Sequence, residues 1–290
     1  MRTRGIRAVA LAGVLALAAA ACGGGGDDAA TPVEKDAKFA AGTTMAKLHD
    51  AGSIKVGVKF DQPGIGFKKP GSDAPEGFDI EIAKIVAAKL GIDPSKIKWT
   101  ETISKNREPF LQNGTVDIVT ASYSITDERR KVVGQAGPYY VTGQQLLVRK
   151  DDSSIKGPED LKGKKVCSVT GSTSIKTVQE KYGAQPAPFG TYSECVQQLL
   201  NKQVDAVTTD GAILLGYAAQ NKDKLQVVGD PFSEERYGVG FKKDDKAFCE
   251  FIAKTLKDAF ADGSWQDAFD KTLGKSGVEA PEPPTVDACA

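Results

Sequence analysis

The sequence is poor in the groups on which most enzymes and metal sites depend. His49 is the only histidine in 290 residues, and no Cys-x-x-Cys, Walker, Gly-x-Ser-x-Gly or His-Glu-x-x-His pattern occurs. General acid–base catalysis favours histidine or a carboxylate with a shifted pKa, and zinc sites need clustered cysteine or histidine. We therefore expect no enzyme, no metal site and no cofactor.

The chain also lacks a net charge. Lys and Arg together number 38, Asp and Glu number 38, and the formal net charge is +0. Without a basic excess, nucleic acid is not an expected partner, and any charged site must be local. With 40% hydrophobic and 26% charged residues, a sizeable core under a well-solvated surface is expected, in two modest lobes or one large one.

The N-terminal segment predicts export. The stretch MRTRGIR is followed by the apolar AVALAGVLALAAAA, which is short for a membrane span, and then by Cys22 and GGGGDDAATP. Small residues before a cysteine resemble a bacterial lipoprotein signal, in which the cysteine carries lipid. The expectation is an exported protein anchored through Cys22 at the outer face of the cell membrane, with plain secretion as the alternative.

Four cysteines remain besides Cys22, and an even number in an exported chain predicts two disulfides. They allow three pairings. We favour Cys167–Cys195 and Cys249–Cys289, because each pair falls within one presumed lobe. Four buried thiols are the alternative.

Strand and helix patterns alternate from about Ser53 and restart at Lys164, which predicts two α/β units with parallel strands. Extended segments, YYVTGQQLLVRK and ERYGVGFKK, lie between the units and after the second, so the chain should leave one lobe, build the other and return. Ligands bind at the carboxyl ends of strands in such sheets, here between the lobes. The predicted ranges are a signal peptide at 1–21, lipidated Cys22 with a tether at 22–45, lobe one at 46–142, lobe two with the hinge strands at 143–231, the return to lobe one at 232–275, and a tail at 276–290.

Candidate anion-binding groups follow a buried strand in the stretch ASYSITDERR, residues 121–130. The hydroxyls of Ser122 and Ser124 and the guanidinium of Arg129 are donors that suit a carboxylate. The alternative is a helix cap at Ser124 or Thr126 with Arg129 on the surface.

Two further positions fall where strands meet helices in the second unit. Ser172 and Thr173, in the stretch VTGSTS, would present amides and hydroxyls to an anion, and Asp210 would pair with a cation. Helix caps are the alternative for Ser172 and Asp210.

The motifs GFDIEIAKIVAAKLG, SYSITDERR and GPYY, in this order, are similar to the polar amino-acid-binding proteins of bacterial ABC importers, the extracellular solute-binding protein family 3. The resemblance runs from about Ser53 to Gly274. It implies the type II periplasmic-binding-protein fold, in which two α/β lobes are joined by two crossover strands and close around a ligand in the cleft between them. The roles it implies are a clamp for the ligand α-carboxylate at Arg129, Ser122 and Ser124, a second clamp at Ser172 and Thr173, and a partner for the α-ammonium at Asp210.

The expected ligand side chain depends on Arg107 in NREPFLQNG and Lys59 in GVKFDQPGIG. Within the family these segments resemble glutamate- and aspartate-binding members, the second of them actinobacterial glutamate-binding lipoproteins. Two cations suit a second carboxylate, since a neutral ligand would leave Arg107 desolvated and unpaired. Tyr192 would add a hydroxyl. The alternatives are Glu108 as the partner of Arg107, and a solvated lysine at the end of a strand.

The resemblance also implies partners. These are a small-molecule amino acid, the permease and ATPase subunits of an ABC importer, and the membrane through the lipid anchor, with the protein itself a monomer. The alternatives are an amino-acid sensor acting on a membrane receptor, a binder of glutamine or asparagine, and a dehydratase of the same fold.

Overall fold

The computed structural model describes residues 32–289. The predictions for the signal peptide and for lipidation at Cys22 lie outside these residues. The helices and strands are, in chain order, α1 Thr44–Ala51, β1 Ile54–Val58, β2 Asp61–Gln62, β3 Gly66–Phe67, α2 Phe78–Lys89, β4 Ile97–Glu101, α3 Arg107–Gln112, β5 Ile118–Val119, α4 Asp127–Arg130, β6 Gly134–Thr142, β7 Gln144–Arg149, β8 Lys165–Val169, α5 Thr173–Tyr182, β9 Gln185–Phe189, α6 Tyr192–Leu200, β10 Ala206–Asp210, α7 Gly211–Gln220, β11 Leu225–Val228, β12 Glu235–Phe241, α8 Lys246–Asp262 and α9 Ser264–Asp270.

Two five-stranded sheets form the two lobes. Lobe one has the order β4-β1-β5-β12-β6 and lobe two the order β11-β7-β10-β8-β9. Strands β4, β1 and β5 are parallel, as are β9, β8 and β10. The strands around the two crossings, β6, β7, β11 and β12, pair antiparallel. Each sheet is therefore mixed, because the crossing strands enter it in the reverse direction, and the expected two-lobed type II fold is confirmed.

Helix α2 illustrates how the sequence forms these elements. Phe78, Ile82 and Ile85 recur at helical spacing and are buried. Gly91, with φ of 76°, follows the helix in the left-handed conformation that glycine adopts without a steric penalty. The apolar face of the helix packs on lobe one, where Phe78 contacts Trp265 and Phe269 edge to face.

The segment before Ser53 differs from the tether predicted for residues 22–45. Helix α1 begins at Thr44, and Phe39 packs against the core of lobe one. The Glu34 amide donates to the carbonyl of Ala88 at 3.0 Å, and the Glu34 carboxylate pairs with Lys89. Contacts with the lobe therefore begin well before residue 46, because Phe39 packs against Phe251 of helix α8 and Glu34 pairs with Lys89 of helix α2.

Both disulfides follow the pairing favoured from the sequence. Cys167–Cys195 joins β8 to α6, and Cys249–Cys289 joins α8 to the C-terminal tail. The tail has no helix or strand after residue 276 in the described part of the chain, yet Asp287 accepts from Arg130 at 2.7 Å and from Arg236 at 2.6 Å. Within residues 32–289 no helix has both the length and the apolar character needed to cross a membrane.

Candidate ligand-binding cleft

The turn that follows β5 carries the first group of predicted site residues. Ser122 has φ of 44°, in the left-handed region, and its amide donates to the Asp79 carboxylate at 2.6 Å. The turn then pairs with β12 of the return, since the Gly238 amide donates to the carbonyl of Tyr123 at 2.9 Å. The turn is thus attached both to helix α2 and to a strand that crosses between the lobes.

Arg107 is buried at the start of α3, with 2% of its surface exposed. Its Nη1 donates to the carbonyls of Ala121 at 3.1 Å and Ser122 at 3.0 Å, and its Nη2 donates to Gly171 of lobe two at 3.2 Å. Among the described residues no carboxylate forms an ion pair with it, because Glu108 pairs with Arg129 instead. Burial and the charge of Arg129 lower the pKa of Arg107 to about 10, so it stays cationic at neutral pH.

Arg129 lies beside Arg107 and is also buried. The alternative that Arg129 is a cation on the protein surface is therefore wrong. Its Nε lies 3.2 Å from the Glu108 carboxylate, its Nη1 donates to the Ser124 carbonyl at 2.7 Å, and its Nη2 donates to Gly171 at 3.1 Å. Both guanidinium groups lie against the Tyr123 ring. The helix-cap reading applies to Thr126, whose hydroxyl accepts from the Arg129 amide.

The carbonyl of Gly171 is the lobe-two group that accepts from both arginines. Glycine is required there for two reasons: its φ is 85°, and a Cβ would lie 2.9 Å from the backbone of Lys105 in lobe one. Ser172 next to it caps α5 by accepting from the Ile175 amide at 3.2 Å. The helix-cap reading therefore holds for the Ser172 side chain.

Thr173 and Tyr192 lie on the lobe-two side of the cleft. The Thr173 hydroxyl donates to Glu235 at 3.0 Å, which links α5 to the second crossing strand. The Tyr192 amide donates to the Asp61 carboxylate of lobe one at 2.8 Å, and burial raises the pKa of its phenol to about 12. Tyr192 therefore stays protonated and can act as a donor.

Asp210 lies where β10 meets α7 and is buried. It occupies the N-cap position of α7 without a side-chain capping bond, and one carboxylate oxygen accepts from the Tyr237 hydroxyl. Within residues 32–289 the other oxygen, Oδ1, has no hydrogen-bond partner. Burial and the charge of Glu235 raise the pKa of Asp210 to about 7. A buried, unsatisfied carboxylate oxygen is a place where a cation is stabilised.

These groups surround one small cavity of about 10 Å³. Its lining comprises the predicted residues Arg107, Ser122, Ser124, Arg129, Ser172, Thr173, Tyr192 and Asp210, together with Ser104, Ser174 and Thr209. The cavity is smaller than a drug-sized pocket, and nearly every lining side chain is polar. The lining suits a small ligand that carries charges of both signs. A volume of about 10 Å³ holds about one water molecule, so the lobes must separate to admit such a ligand.

Lys59 does not line this cavity. It is 3% exposed, which contradicts the solvated-lysine alternative, and its Nζ donates to the lining Ser104 at 2.8 Å. Burial and the neighbouring charge of Arg107 lower the pKa of Lys59 to about 7. Its charge therefore acts on the cavity through Ser104.

The sequence reading did not single out Ser104, Ser174 or Thr209. Ser174 and Thr209 stand next to residues that it did name, Thr173 and Asp210, so their positions at strand and helix ends were an available signal. Ser104 lies on a single 3₁₀ turn, Ser104–Asn106, that no periodic pattern indicates.

Two α/β lobes joined by two crossings, with oppositely charged buried groups facing one cavity, define a two-lobed binding protein of the periplasmic type. The chain belongs to the bacterial extracellular solute-binding proteins, family 3, whose sequence profile matches residues 54–275.

Named relatives within this family differ in ligand. The glutamate-binding protein GluB of Corynebacterium glutamicum is 41% identical over 242 residues, which cover 80% of this chain and 82% of that protein. The ABC transporter glutamine-binding protein GlnH of Bacillus subtilis is 39% identical over 273 residues, 93% of this chain and 97% of that protein. The crystal structure of the ancestral amino acid-binding protein AncCDT-1, a precursor of cyclohexadienyl dehydratase, matches with a TM-score of 0.73 at 31% identity, covering 80% of this chain and 100% of that one.

Proposed function

We propose that the protein captures L-glutamate or L-aspartate by closure of its lobes and delivers it to the permease and ATPase subunits of an ABC importer. In this proposal it acts as a monomer, without catalysis, and is held at the outer face of the cell membrane by a lipid on Cys22. The names of GluB and GlnH support amino-acid binding, and the name of GlnH supports an ABC transporter.

The observation that carries the acidic ligand is the unneutralised charge of Arg107. Arg129 already has Glu108 as an ion-pair partner, whereas among the described residues the hydrogen bonds of Arg107 reach only carbonyl oxygens. A buried cation paired only with neutral dipoles is strongly stabilised by a carboxylate. An acidic amino acid would bring one carboxylate to Arg129, its ammonium to Asp210 and its second carboxylate to Arg107.

The same placement of the ligand groups gives a reason for the lobes to close around the ligand. The carbonyl of Gly171 accepts from both arginines across the cleft, so the lobes already share a contact at this point. Ligand carboxylates are stronger acceptors than a peptide carbonyl and would take over these donors. The amides at the start of α5 would then meet the α-carboxylate from the lobe-two side.

Glutamine is the second candidate ligand. Four of the hydrogen bonds that Arg107 can donate already reach carbonyl groups, so a neutral side chain would not leave its donors unpaired. The likeness to GlnH points in the same direction. The two candidates differ in whether binding uses the charge of Arg107.

A thermal-shift panel of the twenty amino acids, followed by calorimetry, tests the proposal. A ligand that binds the native state raises the melting temperature by mass action, and glutamate or aspartate should give the largest rise. If glutamine gives the largest rise, glutamine and not an acidic amino acid is the ligand. If no amino acid gives a rise, the proposed binding function is wrong.

The matched variants are Arg107→Gln and Lys105→Gln, which remove one positive charge from a buried and an exposed neighbouring position. Loss of a buried charge partner should raise the Kd for glutamate by about a hundredfold in Arg107→Gln, and the Kd for glutamine by less than about tenfold. Lys105→Gln should change neither Kd more than about twofold. Equal losses for both ligands in Arg107→Gln would remove Arg107 from the specificity role.

Membrane anchoring is tested separately from binding. Cys22→Ser should move the protein from the membrane fraction to the medium while leaving the Kd unchanged. Retention in the membrane fraction would contradict lipidation at Cys22.

A further inference from the structure

Asp79 is a buried carboxylate that does not line the cavity and yet is bonded to its wall. It lies in the first turn of α2 with 0% of its surface exposed. Oδ2 accepts from the Ser122 amide at 2.6 Å, and Oδ1 accepts from the Tyr139 hydroxyl at 2.6 Å. Both carboxylate oxygens are therefore engaged by donors from other parts of lobe one.

The bond to Ser122 acts on a strained position. A φ of 44° is disfavoured for every residue except glycine, so a serine stays there only if its surroundings hold it. A charge-assisted bond from a buried carboxylate to the serine amide is such a restraint. The left-handed turn at Ser122 sets the direction of the adjoining peptide groups.

Those peptide groups are the ones that orient Arg107. Its Nη1 donates to the carbonyl of Ala121 at 3.1 Å and to that of Ser122 at 3.0 Å. A rotation of the turn would move both acceptors together and would turn the guanidinium away from the cavity. Contacts thus run without a gap from Asp79 through Ser122 to Arg107.

We propose that Asp79 is a positioning residue for ligand selection, which holds the turn at Ser122 so that the Ala121 and Ser122 carbonyls aim Arg107 at the side-chain end of the ligand. This inference rests on the proposed acidic ligand and adds a residue outside the cavity to its recognition.

The charge of Asp79 supports the same role. Burial raises its pKa to about 6, while the bonds from Tyr139 and Ser122 and the charges of Lys59 and Arg107 favour the ionised form. At neutral pH the carboxylate is therefore mostly ionised and partly offsets two buried cations.

The test compares Asp79→Asn with Tyr139→Phe by calorimetry with glutamate and with glutamine. Asparagine keeps the size of the side chain but loses the charge, and Tyr139→Phe removes the other bond to Asp79 while keeping the one to Ser122. Asp79→Asn should lower the preference for glutamate over glutamine by about tenfold, since a hydrogen bond to a charged group is weakened. Tyr139→Phe should change this preference by less than about threefold.

A second measurement does not require an Asp79 variant to fold. Ser122→Gly and Ser122→Val both lose the serine hydroxyl, so both should weaken glutamate and glutamine alike at the α-carboxylate. Glycine adopts the left-handed turn freely and β-branched valine does not, so the preference for glutamate should be about tenfold lower in Ser122→Val than in Ser122→Gly. Equal preferences in the two Ser122 variants would overturn the inference.

The remaining outcomes separate the inference from the proposed function. If Arg107→Gln lowers the preference for glutamate and Asp79→Asn does not, the positioning role is wrong and the proposed function stands. If Arg107→Gln leaves the preference unchanged, Arg107 does not select the ligand side chain and the role of Asp79 is wrong with it, whereas the acidic ligand itself is decided by the thermal-shift panel.

Discussion

The two lobes bring opposite charges to the cavity. Lobe one contributes the guanidinium groups of Arg107 and Arg129, with Lys59 behind them, whereas lobe two contributes the Asp210 carboxylate and the hydroxyls of α5 and α6. Neither wall alone complements an amino acid, which carries an ammonium and at least one carboxylate. The difference shows why a ligand of this kind would stabilise the contact of the lobes rather than remain on one of them.

The walls also differ in how they are supported. Arg129 in lobe one has a carboxylate partner of its own in Glu108, while Asp210 has one oxygen bonded to Tyr237 and, among the described residues, one oxygen without a partner. The cationic side is held in place by protein contacts alone, whereas the anionic side would gain its missing contact from a ligand.

The largest expected effect comes from removing the shared carboxylate clamp. Arg129→Ala should raise the Kd of every amino acid that binds by at least about a hundredfold, because a buried charge loses its partner. Arg130→Ala, which removes a neighbouring arginine paired with Asp287, should change the Kd less than about threefold. Calorimetry measures both, and near-wild-type affinity in Arg129→Ala would contradict the role of the clamp.

Removing the opposite charge should give a smaller loss with a distinct pH profile. The pKa of Asp210 is raised to about 7, so its ionised form, which an ammonium needs, decreases as the pH falls through 7. Affinity for glutamine should therefore fall by up to about tenfold per pH unit below 7. Glutamine is the ligand of choice here, because its side chain does not respond to the charge of Lys59.

Asp210→Asn should lower glutamine affinity at pH 8 by roughly tenfold or more and flatten the profile between pH 6 and pH 8. If Asp210→Asn keeps the wild-type pH profile, the group whose titration changes the affinity is not Asp210.

Lys59 should increase the preference of lobe one for a ligand with a second carboxylate. Its pKa is lowered to about 7, so its positive charge is present below pH 7 and is lost as the pH rises through 7. The ratio of glutamate to glutamine affinity should thus fall several-fold between pH 6 and pH 8, as one nearby charge disappears.

Lys59→Met should give the lower ratio at both pH values. Lys55→Met, which alters a half-exposed lysine of β1, the strand that Lys59 directly follows, should keep the wild-type behaviour. An unchanged ratio in Lys59→Met would assign the side-chain preference to Arg107 alone.

The disulfides should affect stability far more than binding. Cys249 and Cys289 lie 40 residues apart in sequence, and Cys167 and Cys195 lie 28 apart. Converting either pair to serine should lower the free energy of unfolding by roughly 3–4 kcal/mol through the entropy of the unfolded chain, as measured by denaturant titration. The Kd should stay within about threefold for the Cys249–Cys289 pair, and a tenfold rise would place the tail within the binding mechanism.

Helices and strands with a regular hydrophobic spacing, or with a glycine at their end, were predictable from the sequence. The helix spacing of α2, the glycine after α5 and the two extended crossings have local signals, and from these the two-lobed fold follows. The interlobe position of the cavity also follows, because parallel strands present their carboxyl ends on one side.

Apart from the two disulfides, long-range pairing of side chains was not predictable from the sequence. Glu108 is adjacent to Arg107 in sequence and pairs with Arg129, because the helix turns its carboxylate toward Tyr123 and away from its neighbour. The burial of Lys59 and the attachment of residues 34–39 depend on elements far along the chain, which no local pattern records. The assigned roles of the site residues remain predictions that rest on the cavity and on the family.

A crystal structure of the protein with glutamate tests the central claim most directly. We expect the α-carboxylate on Arg129, the ammonium within hydrogen-bond distance of Asp210 Oδ1, and the side-chain carboxylate on Arg107, with both lobes in contact with the ligand. A glutamate whose side-chain carboxylate points away from Arg107, or whose ammonium does not meet Asp210, would contradict it.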